Sequence, residues 1–168
     1  SRVTLGNFLI KRVVYELQEE LPNIKNFGTL SPIPGFRDWF SVLDEQKIKN
    51  IIGDSFEKLS FLKSANLKIG DNRIVSNKEL IKKLVLHYLM NEKNKKSLPI
   101  NDVCRFHLGN GAIIDDIVIN ANISEVGFER SFGVMVNYLY ELDNIEKNHE
   151  EYINYKKIII SNKLQKIL

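Results

Sequence analysis

The sequence predicts an α+β domain, a few strands set among several helices, on three observations. Apolar residues recur at helical spacing over three long stretches, shorter runs alternate or are rich in β-branched residues, and Pro, Gly and Asn-Gly punctuate the boundaries. The 168 residues suffice for one ordinary core, and no internal repeat divides them.

From the N-terminus, Asn7 is placed to cap a helix running to about Leu21, because Ile10, Val13, Val14, Leu17 and Leu21 form one apolar stripe and Pro22 ends it. Phe27 to Ser31 alternates as a strand, closed by Pro32. Residues 36–62 read as short helices interrupted near Gly53-Asp54, and residues 65–76, around Gly70-Asp71-Asn72, as loop. Asn77 is placed to cap a second long helix to about Met90, its core side carrying Leu80, Ile81, Leu84, Val85, Tyr88 and Leu89.

After a Lys-rich connection at 91–98, Arg105–Leu108 and Ala112–Ile119 are predicted to pair as a β-hairpin about Gly109-Asn110-Gly111, since Asn-Gly is a strong hairpin signal. A third long helix is expected from about Glu125 to Leu142 on the spacing of Phe128, Phe132, Met135, Val136, Leu139 and Leu142. Asn144 is placed to cap a fourth helix, Lys156–Ile160 to form a last strand, and Ser161 to cap a terminal helix.

Composition narrows the function classes. The 43% hydrophobic and 27% charged content suits a soluble globular protein. A formal charge of +3, with Lys and Glu interleaved, argues for solvated helix surfaces rather than a nucleic-acid track, and suits an anionic ligand. No apolar run reaches membrane-spanning length, so no membrane partner is expected. Cys104 is the only cysteine, which excludes an intrachain disulfide and a multi-Cys zinc site and points to a reducing, cytoplasmic setting. The chain starts at Ser1 rather than Met, the expectation being a trimmed terminus or a fragment.

Four places could carry chemistry. Gly6 stands at a helix start, where bare N–H groups and the positive end of the dipole suit phosphate, with Lys11 and Arg12 a turn further on; the plain alternative is a glycine that only turns the chain. Ser31 precedes Pro32, which holds it extended and gives its hydroxyl a stiff support, although a Ser ending a strand at a turn is common. His107, in Arg105-Phe106-His107-Leu108, is expected on the strand face shared with Arg105, able to act as acid or base near neutral pH, the alternative being a surface His. Gly133, Asn137 and Tyr140 follow i, i+4, i+7 spacing and would form a polar helix stripe or a plain helix contact. His87 and His149 read as structural, and no His/Asp/Glu spacing suggests a metal.

Four segments in order carry a resemblance. Leu5-Gly6-Asn7-Phe8-Leu9-Ile10-Lys11-Arg12, Leu30-Ser31-Pro32-Ile33-Pro34-Gly35-Phe36, Arg105-Phe106-His107-Leu108-Gly109-Asn110-Gly111-Ala112 and Gly133-Val134-Met135-Val136-Asn137-Tyr138-Leu139-Tyr140 resemble the malonyl-CoA decarboxylase family over nearly the whole chain. The resemblance implies the C-terminal part of the catalytic domain, with an acetyltransferase-like (GNAT-type) mixed sheet flanked by helices over residues 1–168. The N-terminal helical domain and the first strands would then belong to a missing half of the same enzyme, a homo-oligomer when complete.

It also implies malonyl-CoA as substrate and no separate cofactor, coenzyme A being part of the substrate. Ser31 and His107 would be the catalytic pair, with Tyr140 in the active site. The acyl-CoA loop would fall on residues 1–7, so that Arg2, Val3, Thr4, Leu5, Gly6 and Asn7, with Lys11 and Asn137, bind substrate. The family's loop Glu is replaced by Thr4, and its Asn-Trp after the Asn-Gly turn by Val118-Ile119. The expected reaction is loss of CO₂ from malonyl-CoA to give acetyl-CoA, a step of fatty acid metabolism. An acyl-CoA transferase of the GNAT type and a non-catalytic CoA-binding module are the competing readings.

Overall fold

The computed structural model describes the backbone of residues 5–168 and the side chains of residues 10 and 12–168. Helix α1 (Leu5–Glu20) begins two residues before Asn7, which therefore lies in its first turn rather than at its cap. Strand β1 (Asn26–Pro32) follows, as expected from its alternation and from the extended bias that Pro32 puts on Ser31. Gly35, at φ 85°, turns the chain into α2 (Phe36–Val42), a conformation that favours a residue with no Cβ. Then come α3 (Glu45–Ile52), capped by the Asp44 carboxylate on the Lys47 N–H, and a 3₁₀ stretch (Gly53–Lys63) that starts at the expected break.

The segment 65–76, expected as loop, contains the short helix α4 (Asn72–Ser76), with Asp71 accepting from the Arg73 N–H. Helix α5 (Lys78–Asn91) matches expectation, but the Asn77 side chain donates backward to the Arg73 carbonyl instead of capping it. The remaining elements are α6 (Asp102–Gly109), β2 (Ile113–Val118), α7 (Glu125–Ser131), β3 (Met135–Glu141), α8 (Ile145–Tyr155) and α9 (Asn162–Gln165).

Two expectations fail here for physical reasons. Residues 105–108 are helical: Asn101 caps α6 by accepting from the Cys104 N–H at 2.9 Å, and Asn110-Gly111 ends the helix. Asn110 has φ −94°, whereas a two-residue hairpin turn of the Asn-Gly kind needs positive φ at both residues; only Gly111, at 88°, supplies it. The expected long helix at 125–142 stops at Ser131, because Phe132 and Gly133 both adopt left-handed conformations (φ 55° and 80°) and reverse the chain into β3. Asn144 stands at the start of α8 without a side-chain cap, Ser161 does cap α9, and the expected strand at 156–160 reduces to one bridge from Ile160 to Ile114.

The sheet has the order β1-β3-β2 and is antiparallel throughout, with that bridge as the parallel contact at its margin, so the expected mixed sheet is corrected to an antiparallel one within an α+β domain. As an edge strand, β1 tolerates Pro32, which has no N–H to offer. Pairing sets Phe27 opposite Tyr140, Thr29 opposite Tyr138 and Ser31 opposite Val136, so these six side chains share one face. On β2, a bulge at Asp115 shifts the alternation by one, which lets Ile114 and Ile117 both pack inward, opposite Tyr138 and Val136. The core then runs continuously from this face through Ile33, Phe36, Phe40 and Phe132 to the buried side of α5.

Gly111 lies hard against the backbone at the start of α8. A Cβ there would lie 2.3 Å from the Ile145 carbonyl oxygen, a backbone atom that cannot yield, on a residue already at positive φ. Gly111→Ala is therefore expected to destabilise the protein by about 2–4 kcal/mol, read from the urea midpoint at unchanged slope. A loss below about 0.5 kcal/mol would contradict this packing.

Candidate active site

Ser31 and His107, separated by 76 positions, meet beneath α6: Ser31 Oγ lies 3.1 Å from His107 Nε2. Ser31 is presented by the stiff penultimate position of β1, on the inward face. His107 is presented from the last turn of α6, and both ends of that helix are tied down. At its start, Asn101 caps the helix and also donates to the Pro34 carbonyl at 3.0 Å, which joins α6 to the loop immediately after Ser31. At its end, His149 Nδ1 donates to the Gly109 carbonyl (2.6 Å) and Asn148 to the Gly111 carbonyl (3.2 Å), both from α8.

The other ring nitrogen of His107 is also engaged. Nδ1 lies 2.6 Å from Tyr140 Oη, from the middle strand β3. Tyr140 is fully buried and stacks on Phe27 at 4.8 Å, the cross-strand partner given by the register. Tyr138, two residues earlier on the same face, lies parallel to the imidazole at 4.4 Å. Phe106 closes on the ring edge-on at 5.2 Å.

The direction of these bonds follows from counting donors. Among the described residues, Tyr140 Oη has one hydrogen-bond partner, His107 Nδ1, so its proton is satisfied only if it donates there. Nδ1 is then the acceptor, and the single proton of the neutral ring resides on Nε2, pointing at Ser31 Oγ. Burial keeps the ring neutral: desolvation pulls the His107 pKa down to about 4, and pushes the Tyr140 hydroxyl up, so both stay uncharged at neutral pH. Ser31 Oγ has a second neighbour, Thr29 Oγ1, at 3.2 Å.

The expected site residues divide accordingly. Ser31, His107 and Tyr140 come together. Asn137 does not join them: as the neighbour of Tyr138 in a strand, it faces the other side of the sheet, within 3.5 Å of Asp115 Oδ2. Gly133 forms the turn into β3 rather than a helix stripe, and Arg105, once expected beside His107, bonds instead to the Pro99 and Ile100 carbonyls. Leu5, Gly6 and Asn7 form the first turn of α1; Arg2, Val3 and Thr4 and the side chain of Lys11 lie outside the described residues. Asn101, Thr29 and Tyr138 were not singled out by the sequence reading. The cap signal Asn101-Asp102 and the alternation of Val136, Tyr138 and Tyr140 were the cues that could have found them.

Comparison with known proteins gives one consistent result. Residues 1–168 match the family model described as the malonyl-CoA decarboxylase C-terminal domain. The chain is 36% identical to the mitochondrial malonyl-CoA decarboxylase of Anser anser anser, over 93% of this chain and 34% of that protein. It is 34% identical to the Mus musculus enzyme, over 96% of this chain and 37% of that one. Among solved structures it is similar to malonyl-CoA decarboxylase from Rhodopseudomonas palustris (TM-score 0.82, 34% identity, 99% of this chain and 38% of that chain). The enzyme from Cupriavidus metallidurans gives a TM-score of 0.79 at 35% identity, over 99% of this chain and 44% of that chain. The chain thus spans well under half the length of these relatives.

The buried imidazole makes stability depend on pH. An unfolded His takes up a proton near 6.5 and the folded one only near 4, so between these values the unfolded state binds more protons. The contribution is complete above about pH 6.5 and is lost as pH falls toward 4, on the order of 3 kcal/mol in all. Urea midpoints measured from pH 7 to 4.5 are expected to fall more steeply for the parent than for His107→Gln; equal slopes would contradict a buried neutral His107.

Proposed function

The chain belongs to the malonyl-CoA decarboxylase C-terminal domain family, and from that membership we propose that it carries the chemical centre of an enzyme converting malonyl-CoA to acetyl-CoA and CO₂. The observation that carries the reading is the contact between Ser31 and His107, a hydroxyl and an imidazole N–H side by side on rigid elements. The remainder of the relatives' length, and any oligomer, we assign to the full-length enzyme.

In this reading the bond from the α-carbon to the carboxylate breaks heterolytically, and its electron pair passes into the thioester as an enolate. Charge developing on the thioester oxygen needs a donor already in place, and the Ser31 hydroxyl supplies it while orienting the malonyl group. The α-carbon then takes the Nε2 proton of His107 in its imidazolium form, leaving the neutral ring that solvent reprotonates, so that one proton is consumed for each CO₂ released. The malonyl carboxylate, arriving beside the ring, favours its protonated form and so opposes the desolvation that holds the pKa near 4 in the empty protein. Tyr140 orients the ring through Nδ1. The thioester itself is the electron sink. The coenzyme A pyrophosphate is assigned to the N–H groups in the first turn of α1, around Leu5, Gly6 and Asn7, with Lys11 and the preceding residues 2–4 adding contacts.

The test is turnover of malonyl-CoA by the full-length enzyme, following CO₂ and acetyl-CoA together. Ser31→Ala and His107→Asn are each expected to lower kcat by about 10²–10⁴-fold. Near-parental rates in both variants would overturn the assignments. Transfer of an acyl group to an added amine without CO₂ release would favour the acyltransferase instead.

A further inference from the structure

We infer that Thr29 is a positioning residue for Ser31, its hydroxyl oxygen accepting the serine proton and fixing where that proton points before substrate arrives. The inference rests on the decarboxylase reading above and concerns a residue outside the serine–histidine pair. Three observations lead to it.

First, Thr29 and Ser31 are two apart on β1, so their side chains stand on the same face, and their oxygens lie 3.2 Å apart. Second, the bond directions leave the serine proton one place to go. Tyr140 donates to Nδ1, Nε2–H donates to Ser31 Oγ, and the Ser31 hydroxyl must therefore donate away from the imidazole; Thr29 Oγ1 is the acceptor within reach among the described residues. Third, burial changes along the resulting chain. Tyr140, His107 and Ser31 are buried, whereas Thr29 is only half-buried, so the series Tyr140–His107–Ser31–Thr29 runs along one face from the interior toward the surface and ends in a hydroxyl with donor capacity to spare.

The strand does not need a hydroxyl at this position. Val has the same shape and at least the same fitness for a pleated surface, so the strand's demand at position 29 is for a β-branched residue and the oxygen is an addition to it. What the oxygen supplies is rotational order: without it, the Ser31 hydroxyl has several staggered positions, few of which aim at an arriving malonyl oxygen. With it, one position is held until substrate arrives; the serine proton then turns to the malonyl oxygen and the Thr29 hydroxyl, 3.2 Å away, turns to donate to Ser31 Oγ, so that the serine stays oriented through the step. Such an effect appears in kcat and leaves the affinity for the distant coenzyme A moiety unchanged.

The experiment is a double-mutant cycle in the full-length enzyme with malonyl-CoA as substrate. Thr29→Val is expected to lower kcat by about 5–10-fold with KM within about twofold of the parent, the loss of one neutral orienting hydrogen bond, and Thr29→Ser to restore kcat. Because Thr29 acts through Ser31, the Ser31→Ala/Thr29→Val double variant is expected to match Ser31→Ala within about twofold. Should Val disturb the strand, Thr29→Ala is read in the same way. The inference is overturned if Thr29→Val retains kcat within about twofold of the parent, if Ser fails to restore it, or if the two losses add in the double variant. The decarboxylase reading fails separately, when the parent enzyme releases no CO₂ from malonyl-CoA.

Discussion

One imidazole joins the two strands on which the site is built. His107 reaches Tyr140 on β3 with Nδ1 and Ser31 on β1 with Nε2, from the last turn of α6. A buried ring of this kind is demanding, since each unpaired nitrogen would carry a desolvation cost of about 1–3 kcal/mol. The geometry meets the demand on both sides, and in doing so it selects a tautomer. Position, protonation and direction of the proton are thus consequences of one constraint.

That constraint holds only if α6 sits correctly, and the scaffold fixes it twice. The Pro34 carbonyl, three residues after Ser31, receives the Asn101 amide and lies 3.3 Å from the Tyr88 hydroxyl, which ties the serine loop to α6 and to α5. At the other end, Gly111 passes so near the Ile145 backbone that only a residue without Cβ fits, which locks α6 against α8. Tyr138 adds a wall: its ring lies flat on His107 while its hydroxyl is turned to the Cys104 thiol. Beside it Cys104, fully buried, has its thiol pushed up to about 12 by desolvation, so it packs as a small apolar group rather than as a nucleophile.

Much of this was legible in the residues. The first helix, β1 with its serine held extended by Pro32, the break at Gly53 and α5 all follow from apolar spacing and from Pro and Gly, local signals that tertiary contacts had no reason to override. The pairing of positions 31 and 107 rested on family resemblance, because no periodicity relates residues 76 apart. Where local reading failed, two signals competed. Asn110-Gly111 serves a helix end as readily as a hairpin, and the deciding cue was upstream, in the cap at Asn101. In residues 125–142 an apolar residue falls on almost every helical position, yet Val136, Tyr138 and Tyr140 also alternate, and the left-handed pair Phe132-Gly133 gives the second pattern its start. Asn137 and Tyr140 share a helix stripe in one reading and opposite sheet faces in the other, which is why only the tyrosine reaches the site.

The position of one proton, on Nε2 of His107, decides how the site is wired, and ¹⁵N NMR of the full-length protein with labelled histidine reads it directly at neutral pH. For His107, identified by its loss in His107→Gln, the structure predicts a protonated Nε2 and a bare Nδ1 that stay so down to about pH 5. A ring protonated on Nδ1, or one that titrates near 6.5 as a solvated histidine does, would contradict the account.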